Sequence, residues 1–282
     1  MAFPSGAPLS AHVSAQVPAL GPGQGATHVP DHAPSRAGVD RTMVLSLLCL
    51  LMALCWAILL FRAGSMPTTD VSLHAVDAAP WNAADLALLP ALWLAVIAAI
   101  MLPAAVPAVL LYARAKRLRR EPWVYLSTLL FTLGCLSVWS GCALAAATLA
   151  WLLHDAGAPD ASMAVLVPTA TGLALVAAGV YQWTPVKHAC LEHCRTPLAF
   201  VRTGWRRGLP GAFRMGVADA RCATGCCWLL LALALPAGVL NLPAVGGLVV
   251  LVLAEKMLPS GHLPACATGL GLVAWGTALL FP

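Results

Sequence analysis

Charged side chains are scarce in this sequence, because Asp, Glu, Lys and Arg make up only 10% of its 282 residues, against about 25% in an ordinary soluble domain. With 60% of the residues hydrophobic, this scarcity excludes a water-soluble fold. The apolar runs are long and unbroken, which favours membrane-spanning helices over the alternating strands of a barrel. We therefore predict an all-α fold, a polytopic transmembrane helical bundle.

Signatures of catalysis are also lacking. The sequence shows no catalytic triad, no glycine loop that would cradle a phosphate and no paired intramembrane carboxylates, so an enzyme is not the expected function. It lacks the two CxxC pairs that make a zinc site strong. Its basic runs flank hydrophobic spans, where such runs act as topology signals or contacts with lipid headgroups, so we expect no nucleic-acid partner.

Composition divides the chain into two regions. Residues 1–42 are rich in Ala, Pro, Gly, Ser and His and contain no continuous apolar run, which predicts a disordered tail and no secretory signal. The tail histidines His12, His28 and His32 have no spacing typical of metal ligands. Residues 43–282 form the predicted transmembrane helical domain, which includes a Cys-containing cytoplasmic loop at about residues 182–221.

Seven segments are candidates for the roughly 20 apolar residues that a helix needs to cross the hydrocarbon core. They are Met43–Phe61, Leu86–Ala113, Val124–Leu153, Met163–Tyr181, Cys222–Leu242, Val245–Met257 and Pro264–Phe281. Lys and Arg concentrate in the loops after the second and fourth segments, whereas Asp prevails after the first and third. Because basic loops stay in the cytoplasm, we predict a cytoplasmic N-terminus and, with seven spans, an external C-terminus.

The loop after the fourth span carries the first candidate metal ligands. Thr184–Pro185 predicts a helix start, a capping hydroxyl followed by proline, and Thr196–Pro197 predicts its end. Between these marks Cys190, His193 and Cys194 stand at i, i+3 and i+4, so their side chains share one face. Two thiols and an imidazole within one turn suit Zn²⁺ or Cu⁺, which favour sulfur and nitrogen donors.

A second cysteine group opens the predicted fifth span. Cys226 lies one helical turn after Cys222, and Cys227 follows directly. By the predicted topology, six of the ten cysteines collect at the cytoplasmic membrane surface: Cys190, Cys194, Cys222, Cys226, Cys227 and Cys266. The remaining four are explained by close helix packing alone, because cysteine is a small apolar residue. We expect the missing metal ligand to come from the second group or from Glu255.

Glu255 is an unusual residue because it lies near the end of the predicted sixth span. An acidic side chain at that depth is costly unless it is paired, binds a cation or reaches the interface. Three interpretations remain open: a metal ligand, an ion-pair partner of Arg195 or Arg221, or a group exposed at the interface.

Four stretches of the chain match a known family in order and spacing: Tyr181–Leu198, Gly225–Trp228, Gly238–Asn241 and Ala254–Lys256. They resemble the bacterial DUF2182 group, which is described as predicted metal-binding integral membrane proteins. The resemblance covers roughly residues 89–281. It implies that the residues to test are Cys190, Cys194, Cys226, Cys227 and Glu255. The group is richer in methionine around Met101–Pro103, so this chain's intramembrane sulfur ligands would be weaker.

The sequence thus predicts a multi-pass protein of the bacterial inner membrane with a transition-metal site, copper or zinc, at its cytoplasmic face. The site residues are predicted to be Cys190, His193, Cys194, Cys226, Cys227 and Glu255. The expected partners are the lipid bilayer and a protein that receives the metal. Two alternatives stay open: a thiol-based redox protein, which needs a cysteine of lowered pKa, and a secondary transporter, which needs ionisable groups near the midplane.

Overall fold

A computed structural model describes residues 36–64, 83–155, 168–195, 204–238, 240–258 and 263–281. These ranges contain ten helices: α1 (Arg36–Gly64), α2 (Ala83–Leu118), α3 (Val124–Asp155), α4 (Pro168–Tyr181), α5 (Pro185–Arg195), α6 (Gly208–Gly225), α7 (Trp228–Ala232), α8 (Ala234–Ala237), α9 (Leu242–Met257) and α10 (Leu263–Leu280). They include no strand, which confirms the predicted all-α fold. The three tail histidines lie outside the described residues.

Four described helices are long and apolar enough to cross a membrane. They contain the segments Arg41–Gly64, Ala87–Leu118, Val124–Leu153 and Leu263–Leu280. A fifth span results if α6 and the α7–α8 segment count together, although they are bent by 71°. The described helices are therefore compatible with a membrane bundle of four or five spans, and the count of seven stays a prediction.

The predicted fifth span, Cys222–Leu242, is wrong as a single helix. The structure breaks it after Gly225, because Cys227 leaves helical geometry at φ −133° and ψ 9°. A second interruption falls at Leu233, since Pro236 has no N–H with which to continue the hydrogen-bond ladder. Gly238 ends the segment at φ +85°, in the left-handed region that glycine adopts without strain.

The helix before the break, α6, begins well upstream of the predicted span and packs closely on α3. Gly216 makes this approach possible, because a Cβ at that position would overlap the backbone carbonyl of Phe131. Helix α5 lies against α6 and α9, and α9 also contacts α2. Four helices therefore surround one buried region: α2, α5, α6 and α9. The cysteines of α5 and those at the end of α6 lie there.

Candidate functional site

Helix α5 carries the first predicted ligands and starts where the sequence predicts, whereas the predicted end at Thr196–Pro197 lies outside the described residues. It begins at Pro185, and the Thr184 hydroxyl accepts a long hydrogen bond of 3.4 Å from the Lys187 amide. Lys187 and Leu191 are buried on one side of the helix. Because α5 packs on α6, its cysteines lie beside those of α6 and are only partly exposed.

The thiols of α5 and α6 meet at the end of α6. The Sγ atoms of Cys194 and Cys226 are 4.0 Å apart. One turn earlier on both helices, the Cys222 thiol lies 3.7 Å from the backbone carbonyl of Cys190 and donates to it. The structure therefore brings the two predicted cysteine groups together, although they are separated by about thirty residues of chain.

Two further thiols lie at the break after α6. Both Cys226 and Cys227 donate to the carbonyl oxygen of Ala223 at 3.0 Å, so their sulfurs are held side by side. The Cys227 thiol also lies 3.5 Å from the Met101 thioether of α2. Met101, Cys226 and Cys227 are all buried. We call Met101, Cys194, Cys226 and Cys227 the sulfur group.

A small cavity adjoins the sulfur group. It has a volume of about 20 Å³ and is lined by Met101, Ala104, Ala105, Ala108, Trp139, Cys194, Asp219, Ala223 and Lys256. This is room for about one water molecule. An acidic and a basic side chain, Asp219 and Lys256, therefore share a space with the Met101 thioether and the Cys194 thiol.

Glu255 is held by cations rather than by thiols. Its Oε2 accepts a hydrogen bond of 2.6 Å from Lys187 Nζ, and both side chains are buried. Arg195 donates to the backbone carbonyl of Glu255 through Nε at 3.0 Å and Nη2 at 2.5 Å. Of the three interpretations left open by the sequence, an ion pair is the one observed, with Lys187 as the partner in place of Arg195 or Arg221.

The thiols on α5 are weak acids. Burial, and then the neighbouring Cys222 thiol, raise the pKa of Cys190 to about 11. Hydrogen bonds with Cys222 and Cys226, together with burial, raise the pKa of Cys194 well above its ordinary value. Lys187 and Arg195 instead make their hydrogen bonds with Glu255. The lowered pKa that the redox alternative requires is therefore absent at these two thiols.

The remaining predicted ligands are more loosely associated with the sulfur group. The Cys190 carbonyl accepts a hydrogen bond from the Cys222 thiol, and the Cys190 thiol also interacts with that of Cys222. His193 lies near enough to Asp219 to interact with it electrostatically. Within the described ranges, no three His, Cys, Asp or Glu side chains already form a metal-binding group.

Two residues of the cavity, Asp219 and Lys256, are not among the site residues that the sequence predicts. Asp219 lies three residues before Cys222 and seven before Cys226, a spacing that places all three on one face once α6 is known to be a helix. Lys256 adjoins Glu255 and is only partly exposed, since it lines the same cavity. The sequence hides this signal, because Asp219 falls within the predicted cytoplasmic loop.

A family comparison identifies the group to which the chain is related. A family model described as PpoB2, copper chaperone, matches residues 90–279. The chain belongs to the PpoB2 copper chaperone family. No curated protein and no solved structure matches the chain. The matched residues include every member of the sulfur group, and membership indicates a role in metal handling or delivery.

The donor atoms fit the cargo of a copper chaperone. Cu⁺ is a soft ion and is selected by thiolate and thioether ligands, which are the two donor types in the sulfur group. Sulfurs that bind one ion with bonds of about 2.3 Å are at most about 4.6 Å apart. The separation of 4.0 Å between Cys194 and Cys226 lies within that limit.

Proposed function

We propose that the protein binds Cu⁺ as cargo at the sulfur group and passes it to a protein acceptor, from a site on the cytoplasmic side of the bacterial inner membrane. The observation that carries the proposal is the 4.0 Å separation of Cys194 and Cys226, two thiols contributed by different helices. The family match and the resemblance to DUF2182 both support metal handling.

In this proposal Cys194 and Cys226 are the primary ligands, because an ion between them needs little movement of either helix. Two further sulfur donors are the Cys227 thiol, which follows the end of α6, and the Met101 thioether of α2. Methionine distinguishes the candidate metals, since a neutral thioether binds Cu⁺ well and contributes little to Zn²⁺. We therefore assign the site to copper rather than zinc.

The burial of the thiols suggests a direction for transfer. Cys226 and Cys227 are buried, whereas Cys190, Cys194 and Cys222 are partly exposed. An acceptor's ligands would reach the partly exposed thiols first, so Cu⁺ would leave through Cys194 while Cys190 and His193 offer neighbouring donors. Ligand exchange of this kind moves the ion without releasing it into solution.

Glu255 is proposed to position α5 rather than to bind copper. Its carboxylate holds Lys187 of α5, and its backbone carbonyl holds Arg195 at the end of the same helix. These contacts fix α5 against α9, so the position of the Cys194 thiol relative to the Cys226 thiol depends on them.

The proposal is tested by Cu⁺ binding to the detergent-purified protein under anaerobic conditions, with a chromophoric Cu⁺ chelator as competitor. We expect Cys194→Ser and Cys226→Ser each to abolish high-affinity binding of one Cu⁺. Met101→Leu should weaken Cu⁺ binding and leave any Zn²⁺ binding unchanged. Cys142→Ser is the matched control, because Cys142 lies on α3 at an intermediate exposure and outside the sulfur group.

A different result would refute the proposal. If the wild type retains no Cu⁺ and a mild oxidant instead removes two free thiols from the wild type but none from Cys194→Ser, the pair is a redox couple. If Cys142→Ser and Cys194→Ser lose Cu⁺ equally, the sulfur group is not the site.

A further inference from the structure

A second pocket lies apart from the sulfur group, where the turn between α2 and α3 meets the start of α6. Its volume is about 230 Å³, and it is lined by Lys116, Glu121, Pro122, Trp123, Arg207, Gly208 and Leu209. The exposed lining of this pocket is largely apolar. Copper binding as proposed above uses none of these residues.

The turn that forms one wall of the pocket is held in place by a polar network. Glu121 accepts hydrogen bonds from Lys116 Nζ at 2.9 Å and from Trp205 Nε1 at 2.8 Å. The Trp205 ring stacks on Tyr112, and the guanidinium of Arg119 lies 4.5 Å from the centre of the same ring. The pocket is therefore a fixed feature of the fold.

Trp123 is displayed at the mouth of this pocket in a strained conformation. Its φ is +59°, and 71% of the residue is exposed. The left-handed conformation is sterically unfavourable for a non-glycine residue, and exposure of a large aromatic ring forgoes the gain from burial. Strain of this kind is maintained at binding sites more often than elsewhere, so the ring is suited to contact a ligand.

The charges around the pocket are mostly positive. The acidic lining residue, Glu121, is paired with Lys116 and also interacts electrostatically with Arg207. The exposed arginines of this region outnumber it: Arg119, Arg120, Arg206 and Arg207. Of these, Arg207 lines the pocket itself. The pocket therefore has an apolar interior and a cationic rim, so its ligand should have an apolar part and an anionic part.

We infer that this pocket binds an anionic phospholipid, with the lipid phosphate at Arg207 and the root of an acyl chain against Trp123 and Leu209. The pocket lies at the ends of α2 and α3, both of which are candidate membrane spans, so lipid is the amphiphile present at the highest local concentration. Tryptophan is enriched at the level of the headgroups. Basic pockets between membrane helices on the cytoplasmic side bind anionic headgroups.

Quenching by brominated lipids tests this inference. The full-length protein is reconstituted in phosphatidylcholine vesicles that contain a small fraction of brominated phosphatidylglycerol or, in parallel, brominated phosphatidylcholine. We expect the glycerol lipid to quench tryptophan fluorescence more strongly at equal bromine content. The difference should disappear in Trp123→Phe, and Arg207→Gln should lower the apparent affinity for phosphatidylglycerol about five-fold.

The matched control is Arg214→Gln, because Arg214 is an exposed arginine of the same helix that lies outside the pocket. It should retain the wild-type preference. Equal quenching by both lipids, or an unchanged preference in Arg207→Gln, overturns the inference. Displacement of the quenching by soluble glycerol 3-phosphate overturns the lipid source and assigns the pocket to a soluble phosphate ester. Cu⁺ stoichiometry, measured in the same samples, separates this inference from the copper proposal.

Discussion

The ion pair between Lys187 and Glu255 allows a quantitative test of how the copper site is supported. The two side chains are 0% and 2% exposed and their charged atoms are 2.6 Å apart. Removing one partner leaves a buried charge without compensation, which costs about 3–5 kcal/mol. We therefore expect Lys187→Met and Glu255→Gln each to lower the free energy of unfolding by that amount.

The double variant separates pairing from other effects. With both charges removed, neither side chain is an uncompensated buried ion, so the Lys187→Met, Glu255→Gln protein should be more stable than either single variant. The coupling energy should therefore exceed the cost of a single variant, about 3–5 kcal/mol. Unfolding is followed by circular dichroism during a denaturant titration in a fixed detergent. Single variants that cost less than about 1 kcal/mol and combine additively would refute the reasoning.

Copper binding by the double variant then decides the role of Glu255. If Glu255 only positions α5, the restored fold should bind Cu⁺ with the wild-type stoichiometry. If the carboxylate is itself a ligand, as the sequence alone predicted, Cu⁺ should be lost although stability is recovered. Cys226→Ser provides the reference for a variant that keeps the ion pair and lacks a proposed ligand.

Three further predictions follow from individual contacts. Gly216→Ala should cost about 1–3 kcal/mol because the added methyl group forces α3 and α6 apart, whereas Gly247→Ala, which has open space, should cost nothing in the same thermal unfolding assay. Burial raises the pKa of Glu121, but its two hydrogen-bond donors outweigh burial and lower it below 4.5. The stabilisation of the folded state by ionised Glu121 is therefore present above pH 4.5 and lost as the pH falls through the lower folded-state pKa. Unfolding at pH 3–7 should show a weaker acid dependence in Glu121→Gln, and an identical profile would contradict this. Arg120→Gly should stabilise the protein by about 0.5–1 kcal/mol, because Arg120 has a φ of +53°, and a fall in the unfolding midpoint would contradict this.

Local patterns were sufficient to predict the elements of the fold. Thr184 and Pro185 specify the first turn of α5, and the helix begins at Pro185 as they predict. Long apolar runs likewise predict α1, α2, α3 and α10. These features depend on neighbouring residues only, so a single sequence contains them.

Contacts between distant elements were not predictable in the same way. Lys187 and Glu255 are 68 residues apart, and Met101 and Cys227 are 126 residues apart. The helical period fixes which residues share a face but not which faces meet, and hydropathy carries no such information in a bundle whose helices are apolar all round. The buried ion pair and the thioether could therefore be recognised only in the structure.

Two adjacent cysteines at the end of α6 supply sulfur to two neighbouring helices. Thiols three and four residues after a backbone carbonyl can both donate to it, as Cys226 and Cys227 do to Ala223. Consecutive residues point about 100° apart, so the two thiols face different helices from this shared carbonyl. Cys226 faces Cys194 of α5, and Cys227 faces Met101 of α2. The adjacency of the two cysteines is thus the feature on which the proposed copper site depends.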